Sequence, residues 1–256
     1  MSIESLSVPA ACPQTVTPFP CLSIVVPTYN EAGNIALFLE ALRAGLDSAA
    51  GTDYEVIVVD DESPDGTADI AEQFSASWPN LRVVRRAGER GLATAVVRGW
   101  QAARGDLLAT INADFQHPPA ILAEMLAKMD GADLVVATRY AAAGSVGRFP
   151  LHRQFLSSTA RRIGAFLLPE VFGRVSDPLS GCYLFRRQAI EDIELRPSGF
   201  KTLIEVLARG RVEKVAECGY TMQKRRSGKS NVKLHHWFAY LAQLARIRNQ
   251  VQRRRS

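Results

Sequence analysis

Three short segments of this chain hold polar residues whose types and spacing can do chemistry. "PTYNE" sets Pro27, Tyr29 and Glu31 directly behind an apolar run. "DDESPDGT" opens with Asp60, Asp61 and Glu62 and leads into a turn signal and a helix start. "NADFQHPP" groups Asn112, Asp114, Gln116 and His117 ahead of a proline-initiated helix. Carboxylates placed this way suit two tasks. One accepts hydrogen bonds from a ribose or a base edge; another holds a hard cation against a diphosphate, since Mg2+ takes a carboxylate or two plus phosphate oxygens. Asp and Asn are also common in caps and turns. Asp65 and Thr67 are read as residues of that kind, Asp60 and Asp114 as functional. His117, beside two prolines, is read as a structural hydrogen-bonder.

The elements that must position these residues are legible around them. "LSIVV", "YEVIVV", "LRVV", "DLLATI" and "ADLVVA" are short β-branched runs, as strands buried on both faces are. Leu92, Val96, Trp100 and Ala103 recur at helical spacing, and so do Ile121, Leu122, Met125, Leu126 and Met129. This alternation predicts βαβ units in an α/β fold with a mostly parallel, doubly wound sheet. The three polar segments then fall at the carboxyl ends of strands, where such sheets bind ligands, and Pro27 is expected to stop its strand's ladder.

Beyond Ala137 the rhythm changes. Residues 139–174 hold six arginines and one acid, the loop "AAAGSVG" and an apolar helical stretch over Ile163–Leu168. A strand at "GCYLFR", a helix around Phe200–Ala208 and a strand near Val212–Met222 follow. The segment His235–Val251 puts Trp237, Phe238, Leu241, Leu244 and Ile247 on one helical stripe, expected to pack on the domain, with a basic opposite face. Residues 1–20, with four of the 13 prolines, read as a disordered leader. The expected organisation is therefore a leader over 1–20, one domain over 21–235 and a basic helix or tail over 236–256.

Composition narrows the classes. With 47% hydrophobic and 22% charged residues the chain is globular, neither fibrous nor mostly disordered. No apolar run approaches the ~18 residues that span a bilayer, and no secretory signal is visible. Four scattered cysteines without a CxxC pair argue against a zinc ribbon and fit a reducing compartment. Ten of the 31 Lys/Arg follow Glu217 with no acid after it, a bias that suits an anionic surface or a phosphorylated substrate. Nucleic acid is not expected as a partner, because no aromatic-basic signature accompanies that charge. GxxxxGK[ST], an early GxGxxG and GxSxG are all missing, which disfavours a nucleoside triphosphatase, a dinucleotide dehydrogenase and an α/β-hydrolase. A metal-type acid site without a P-loop leaves a nucleotide-sugar donor as the natural candidate.

"VVPTYNE", "VVDDESPDGT", "GLATAVVRGWQAARGD", "NADFQHPP", "ATRY", "DPLSG" and "RRSGKSN" together resemble the dolichol-phosphate mannosyltransferases, inverting family-2 glycosyltransferases of GT-A fold. The resemblance covers about residues 22–235, in order and spacing. It implies that Pro27, Tyr29, Glu31, Val58 and Asp60 hold the donor nucleoside and that Asn112, Asp114 and Gln116 ligate Mg2+ or Mn2+. It implies further that Arg139, Arg153 and Ser157 surround the transferring sugar and the acceptor phosphate, and that Arg225 binds the donor diphosphate. Asp177 is expected to position the sugar or an arginine. Two departures stand out. Asn112 replaces the first acid of the family's DxD-type motif, which predicts weaker metal binding. Asn231 stands at a usual lysine position, with Lys229 and Lys233 nearby.

The implied reaction is transfer of a hexose, mannose from GDP-mannose by preference, to a polyprenyl phosphate. A phosphomonoester is already anionic at neutral pH, its second pKa being near ~6, so no general base is needed and arginines can clamp it. A soluble or protein acceptor would instead need a carboxylate base, for which Asp177 and Glu205 are the candidates. A third reading is a non-catalytic binding protein that lost its metal at Asn112. The lipid acceptor implies a cytoplasmic protein docked peripherally on the cytoplasmic face of a membrane or on a membrane-anchored partner. The surfaces expected to dock are Ile163, Phe166, Leu167 and Leu168 with Arg161 and Arg162, and the basic C-terminal helix.

Overall fold

The structure, a computed structural model, describes residues 6–7, 21–51, 53–141, 144–147, 151–196, 199–228 and 234–255. In chain order its elements are β1 (Leu6–Ser7), β2 (Leu22–Thr28), α1 (Ala32–Ala50), β3 (Tyr54–Asp60), α2 (Thr67–Ser75), β4 (Leu81–Arg85), α3 (Leu92–Ala102) and β5 (Leu107–Thr110). Then come α4 (Ile121–Ala127), β6 (Leu134–Thr138), α5 (Leu151–Leu167), α6 (Pro169–Phe172), β7 (Tyr183–Arg186), β8 (Glu194–Leu195), α7 (Thr202–Arg209), β9 (Val215–Gly219) and α8 (Leu234–Arg255). Seven strands form one sheet in the order β4-β3-β2-β5-β7-β6-β9. Only β7 runs against its neighbours, between β5 and β6. In the leader, Leu6–Ser7 pairs antiparallel with β8, so this stretch at least is tied to the domain.

Both faces of the sheet are covered, which explains its unbroken apolar strands. Along β2 the side chains still alternate: Val25 joins the core under α3, while Leu22, Ile24 and Val26 join the core under α1 and α4. Gly99 lets α3 lie directly on β2, since a Cβ there would fall inside the Val25 side chain. Trp100 fills the same layer against Tyr183 and Phe185.

Pro27 does not end β2. The pairing with β3 continues through Pro27 and Thr28, whereas the pairing with β5 ends at Val25. In a parallel ladder alternate residues bond to opposite neighbours. Val25 O accepts from Ile111 N on the β5 side, and Thr28 O accepts from Asp61 N on the other. The missing N–H of Pro27 therefore faces the side where pairing has already stopped. The prolines of "QHPP" also precede their helix rather than open it: Ile121 N and Leu122 N bond back to Pro118 O and Pro119 O in a tight turn.

The expected helical stripes need redrawing. On α8 the buried face is Tyr240, Gln243, Leu244 and Ile247, while Phe238 is 66% exposed and Leu241 lies outside the packed stripe. Of the four residues expected to dock, Leu168 is fully buried and Ile163 and Leu167 pack on the core, which leaves Phe166, 83% exposed, facing out. Phe155 and Leu156 join it as exposed apolar residues of α5.

Candidate active site

The chain leaves β2 toward β3 and β4 on one side and returns to β5 on the other, so the order of strands reverses between β2 and β5. A crevice opens at such a point outside the carboxyl ends. Glu31 follows β2, Asp114 follows β5, and both are buried. Arg225, from the loop after β9, spans them: its Nη2 lies 3.1 Å from Glu31 Oε1 and 3.1 Å from Asp114 Oδ2. The backbone delivers this loop, because Met222 N bonds to Ser145 O and Gln223 N to Gln116 O. Arg226 then lies over the Phe115 ring.

Each carboxylate is held by its own turn. Asp114 Oδ1 accepts from Gln116 N at 3.0 Å across a turn in which Phe115 has φ 60°. Glu31 Oε2 accepts from Asn34 Nδ2 at 2.6 Å. Burial pushes the Glu31 carboxyl up, against the opposing pull of Asn34 and Arg225. Asp65 and Thr67 are structural, as expected: Asp65 accepts from Ala32 N, Thr67 N and Thr67 Oγ1, and Thr67 Oγ1 accepts from Glu31 N. They lash the first turn of α1 to that of α2.

The expected nucleoside side is more internal than expected. Tyr29 lies at the rim with the Arg90 guanidinium 4.9 Å from its ring centre. Pro27 is buried, and Val58 is packed wholly in the core, presenting no side-chain surface. Asp60 is fully buried and accepts from Thr28 Oγ1, Ser63 N and Ser63 Oγ at 2.7–2.8 Å, which shapes the loop after β3. Beside it Asp61 binds Arg86 and accepts from Gly91 N at the start of α3.

Asn112 and Gln116 are half-buried next to Asp114. Gly181 of "DPLSG" clears space for Asn112, since a Cβ there would come within 2.8 Å of its Nδ2. Among the described residues no three His, Cys, Asp or Glu side chains cluster as a metal site. The set at 112, 114 and 116 offers one carboxylate and two amide oxygens. Such a donor set fits a hard divalent cation that draws its remaining ligands from a diphosphate, and the Arg225 guanidinium already marks the spot as one that attracts positive charge. His117 differs from its expected role. Among the described residues neither ring nitrogen has a hydrogen-bond partner; the ring lies tilted against Tyr220, 4.7 Å between centres, and burial pushes its pKa down to about 4.

Arg139, after β6, forms a buried bidentate pair with Asp177, Nε to Oδ2 at 2.7 Å and Nη2 to Oδ1 at 3.0 Å. Burial alone would depress the Arg139 pKa, yet Asp177 raises it overall. Asp177 thus positions an arginine. The remaining edge, Nη1, has among the described residues the Met222 sulfur at 3.7 Å, a weak acceptor, as its hydrogen-bond partner and is the edge left for an anion. Lys201 lies nearby with Nζ on Leu179 O at 2.6 Å, and burial and Arg139 push its pKa down to about 8. Glu205, the other carboxylate weighed as a base, is paired with Arg209 and faces Gln243 of α8. Ser157 is half-buried on α5; the Arg153 side chain, Lys229, Asn231 and Lys233 lie outside the described residues. Lys201, Tyr140 and Arg86 were not legible as site residues in the sequence. Lys201 carries no local signal, being an isolated lysine before an apolar helix.

A family model, glycosyl transferase family 2, matches residues 23–194. The chain is 38% identical over 228 residues to the dolichol-phosphate mannosyltransferase of Pyrococcus furiosus, covering 88% of this chain and 63% of that protein. It is 35% identical over 188 residues to the polyprenol monophosphomannose synthase of Mycolicibacterium smegmatis, covering 72% and 68% of the two chains. The chain thus spans less than two thirds of the archaeal protein's length. Among solved structures, glucosyl-3-phosphoglycerate synthase from Mycobacterium tuberculosis, in complex with Mn2+, UDP and glucosyl-3-phosphoglycerate, superposes with a TM-score of 0.65 at 23% identity, covering 89% and 78%. That likeness is one of fold.

Proposed function

The chain belongs to glycosyl transferase family 2, and on that premise we propose that it transfers a mannosyl group from GDP-mannose to a polyprenyl phosphate, inverting the anomeric carbon. The observation that carries the reading is the Glu31–Arg225–Asp114 bridge across the switch point of the sheet. The nucleoside lies along Tyr29 and Glu31, against the loop that the buried Asp60 shapes; Pro27 and Val58 support it from beneath. Asn112, Asp114 and Gln116 would hold Mg2+ or Mn2+, which supplies positive charge against the departing diphosphate. Arg225 turns from its acidic partners to the donor diphosphate and stabilises the charge that grows there. The free edge of Arg139, with Arg153 and Ser157, orients the acceptor phosphate for in-line attack. That phosphate is an anion at neutral pH and needs no base. This agrees with Asp177 and Glu205 both being engaged in ion pairs.

The lipid acceptor also implies a peripheral membrane position. No helix among the described residues is long and apolar enough to cross a membrane. Phe155, Leu156 and Phe166 of α5 and Phe238 and Leu241 of α8 are exposed, with Arg161, Arg162, Arg246 and Arg248 on the same two helices. Incubation with labelled GDP-mannose and a polyprenyl phosphate in detergent tests the transfer. Labelled lipid should form, EDTA should stop its formation, and Asp114→Ala should abolish it. Absence of transfer to every polyprenyl phosphate tried would refute the reading.

A further inference from the structure

Lys201 carries a charge that none of the roles above uses. The residue is half-buried, and its ammonium lies against the buried Leu179, donating to Leu179 O at 2.6 Å. Among the described residues it forms no ion pair. The charged groups that face it are Arg139 after β6, Asp177 ahead of β7 and Asp114 after β5, with the His117 ring close by. Asp177 is taken by Arg139 and Asp114 by Arg225, while Glu205 of α7 is taken by Arg209. A desolvated ammonium without a counter-ion costs the fold stability, so its presence at a fixed place calls for another reason. The place is fixed. Lys201 O accepts from Nε2 of Gln243, a fully buried residue of α8, at 3.2 Å, and the Phe200 ring centre lies 5.0 Å from Nζ.

Leu179 is the middle of the turn Asp177–Gly181, which Ser180 closes with N on Asp177 O and Oγ on Cys182 O, each at 3.1 Å. The two ends of this turn serve different parts of the site. Asp177 forks onto Arg139 on the acceptor side. Gly181 lies directly beside the proposed cation ligand Asn112 and beside His117, since a Cβ there would come within 2.8 Å of Asn112 Nδ2 and 3.7 Å of His117 Cε1. A shift of Leu179 is therefore passed to both ends. Resting on the mannosyl-transfer reading, we infer that Lys201 is a positioning residue of the reaction: its charged N–H holds the Asp177–Gly181 turn and so fixes the acceptor arginine relative to the donor's cation ligands. A charge-assisted hydrogen bond is about twice as strong as a neutral one, and in-line displacement is sensitive to the distances such a bond sets. Loss of the proton leaves a neutral amine and a slacker turn.

Steady-state kinetics with GDP-mannose, Mg2+ and a polyprenyl phosphate in detergent compare wild type, Lys201→Met and Lys201→Arg, alongside their melting temperatures. Lys201→Met should lower kcat roughly tenfold or more and leave KM for both substrates within about threefold, as loss of orientation without loss of binding does. It should melt no lower than wild type at pH 7, because a desolvated charge leaves with the side chain. Lys201→Arg keeps the charge and should recover kcat to within about threefold of wild type. The wild-type pH profile is an independent test that needs no variant. Its kcat should fall as the ammonium loses its proton about pH 8. Lys201→Arg should stay level there, since a guanidinium keeps its proton and His117, near 4, has none to lose. Unchanged kcat in Lys201→Met, an effect confined to the acceptor's KM, or a wild-type kcat that stays level through that range would each overturn the role. So would a parallel loss of Tm and kcat in Lys201→Met, which marks a plain structural tether. A wild type that transfers mannose to no polyprenyl phosphate would refute the mannosyl-transfer reading itself and the role that rests on it.

Discussion

The Arg139–Asp177 pair makes the sharpest energetic prediction. Asp177 is 1% exposed and Arg139 9%, and both ends of the fork are bonded. Asp177→Asn keeps the shape but removes the negative charge and turns an amide N–H toward a guanidinium N–H. The Arg139 cation is then buried without a counter-charge, with the Lys201 ammonium close enough to be felt. Breaking a buried pair from one side costs about 3–5 kcal/mol. For a domain of this size that corresponds to a fall in Tm of roughly 6–20 °C. Removing both partners in Arg139→Met/Asp177→Leu should cost clearly less than the sum of the single changes, because no charge is left behind. Urea unfolding followed by fluorescence, with calorimetry for Tm, measures all four proteins. The reasoning is refuted if Asp177→Asn loses less than about 1 kcal/mol, or if the double variant loses the full sum.

Lys201 releases its proton near pH 8 in the folded protein but near its ordinary 10.5 when unfolded. The unfolded chain therefore binds more protons between those values and wild-type stability gains up to about 3 kcal/mol across that window. The difference between wild type and Lys201→Met should follow that rise, and a flat difference from pH 7.5 to 10 would contradict it. Asn112→Asp should tighten divalent-cation binding in the presence of GDP, read by calorimetry, and unchanged or weaker affinity would remove position 112 from the ligand set. Phe155→Ser/Phe166→Ser should reduce pelleting with anionic vesicles, and wild-type pelleting should fall as salt rises, since each basic side chain near the surface contributes ~1 kcal/mol that salt screens. Salt-independent binding, or full binding by the double variant, would dismiss this surface.

The strands and the polar segments behind them were legible because burial on both sheet faces forces long β-branched runs, and punctuation by Asp, Asn, Gly and Pro marks where they end. The misjudged details depend on packing that periodicity does not encode. Phe238 and Leu241 share a helical arc with Leu244, yet Tyr240 and Gln243 take the buried face, since α8 docks through Tyr240 on Ala160 O of α5. Pro27 lies inside its strand because its missing N–H faces the side where pairing with β5 has already ended. His117 and Lys201 owe their environments to segments far away in the chain, Tyr220 and Leu179, and no local pattern announces such pairs.

Charge balance accounts for the neutral residue at 112. Glu31 and Asp114 share one guanidinium, which leaves a single net negative charge across the switch point. A carboxylate at 112 would add another beside two that are already buried, where burial has raised the Glu31 carboxyl. With Asn112, one guanidinium, that of Arg225, bridges the two carboxylates, and its side chain remains 21% exposed, accessible to an incoming anion. A donor diphosphate and the two carboxylates then compete for the same guanidinium. With Arg225 turned to the diphosphate, Glu31 and Asp114 would lack their counter-charge, which a divalent cation held by Asn112, Asp114 and Gln116 would restore. Under the proposed function, cation and nucleotide sugar should therefore bind as a unit, each weak without the other, with Arg225 as the group that exchanges one balance for the next.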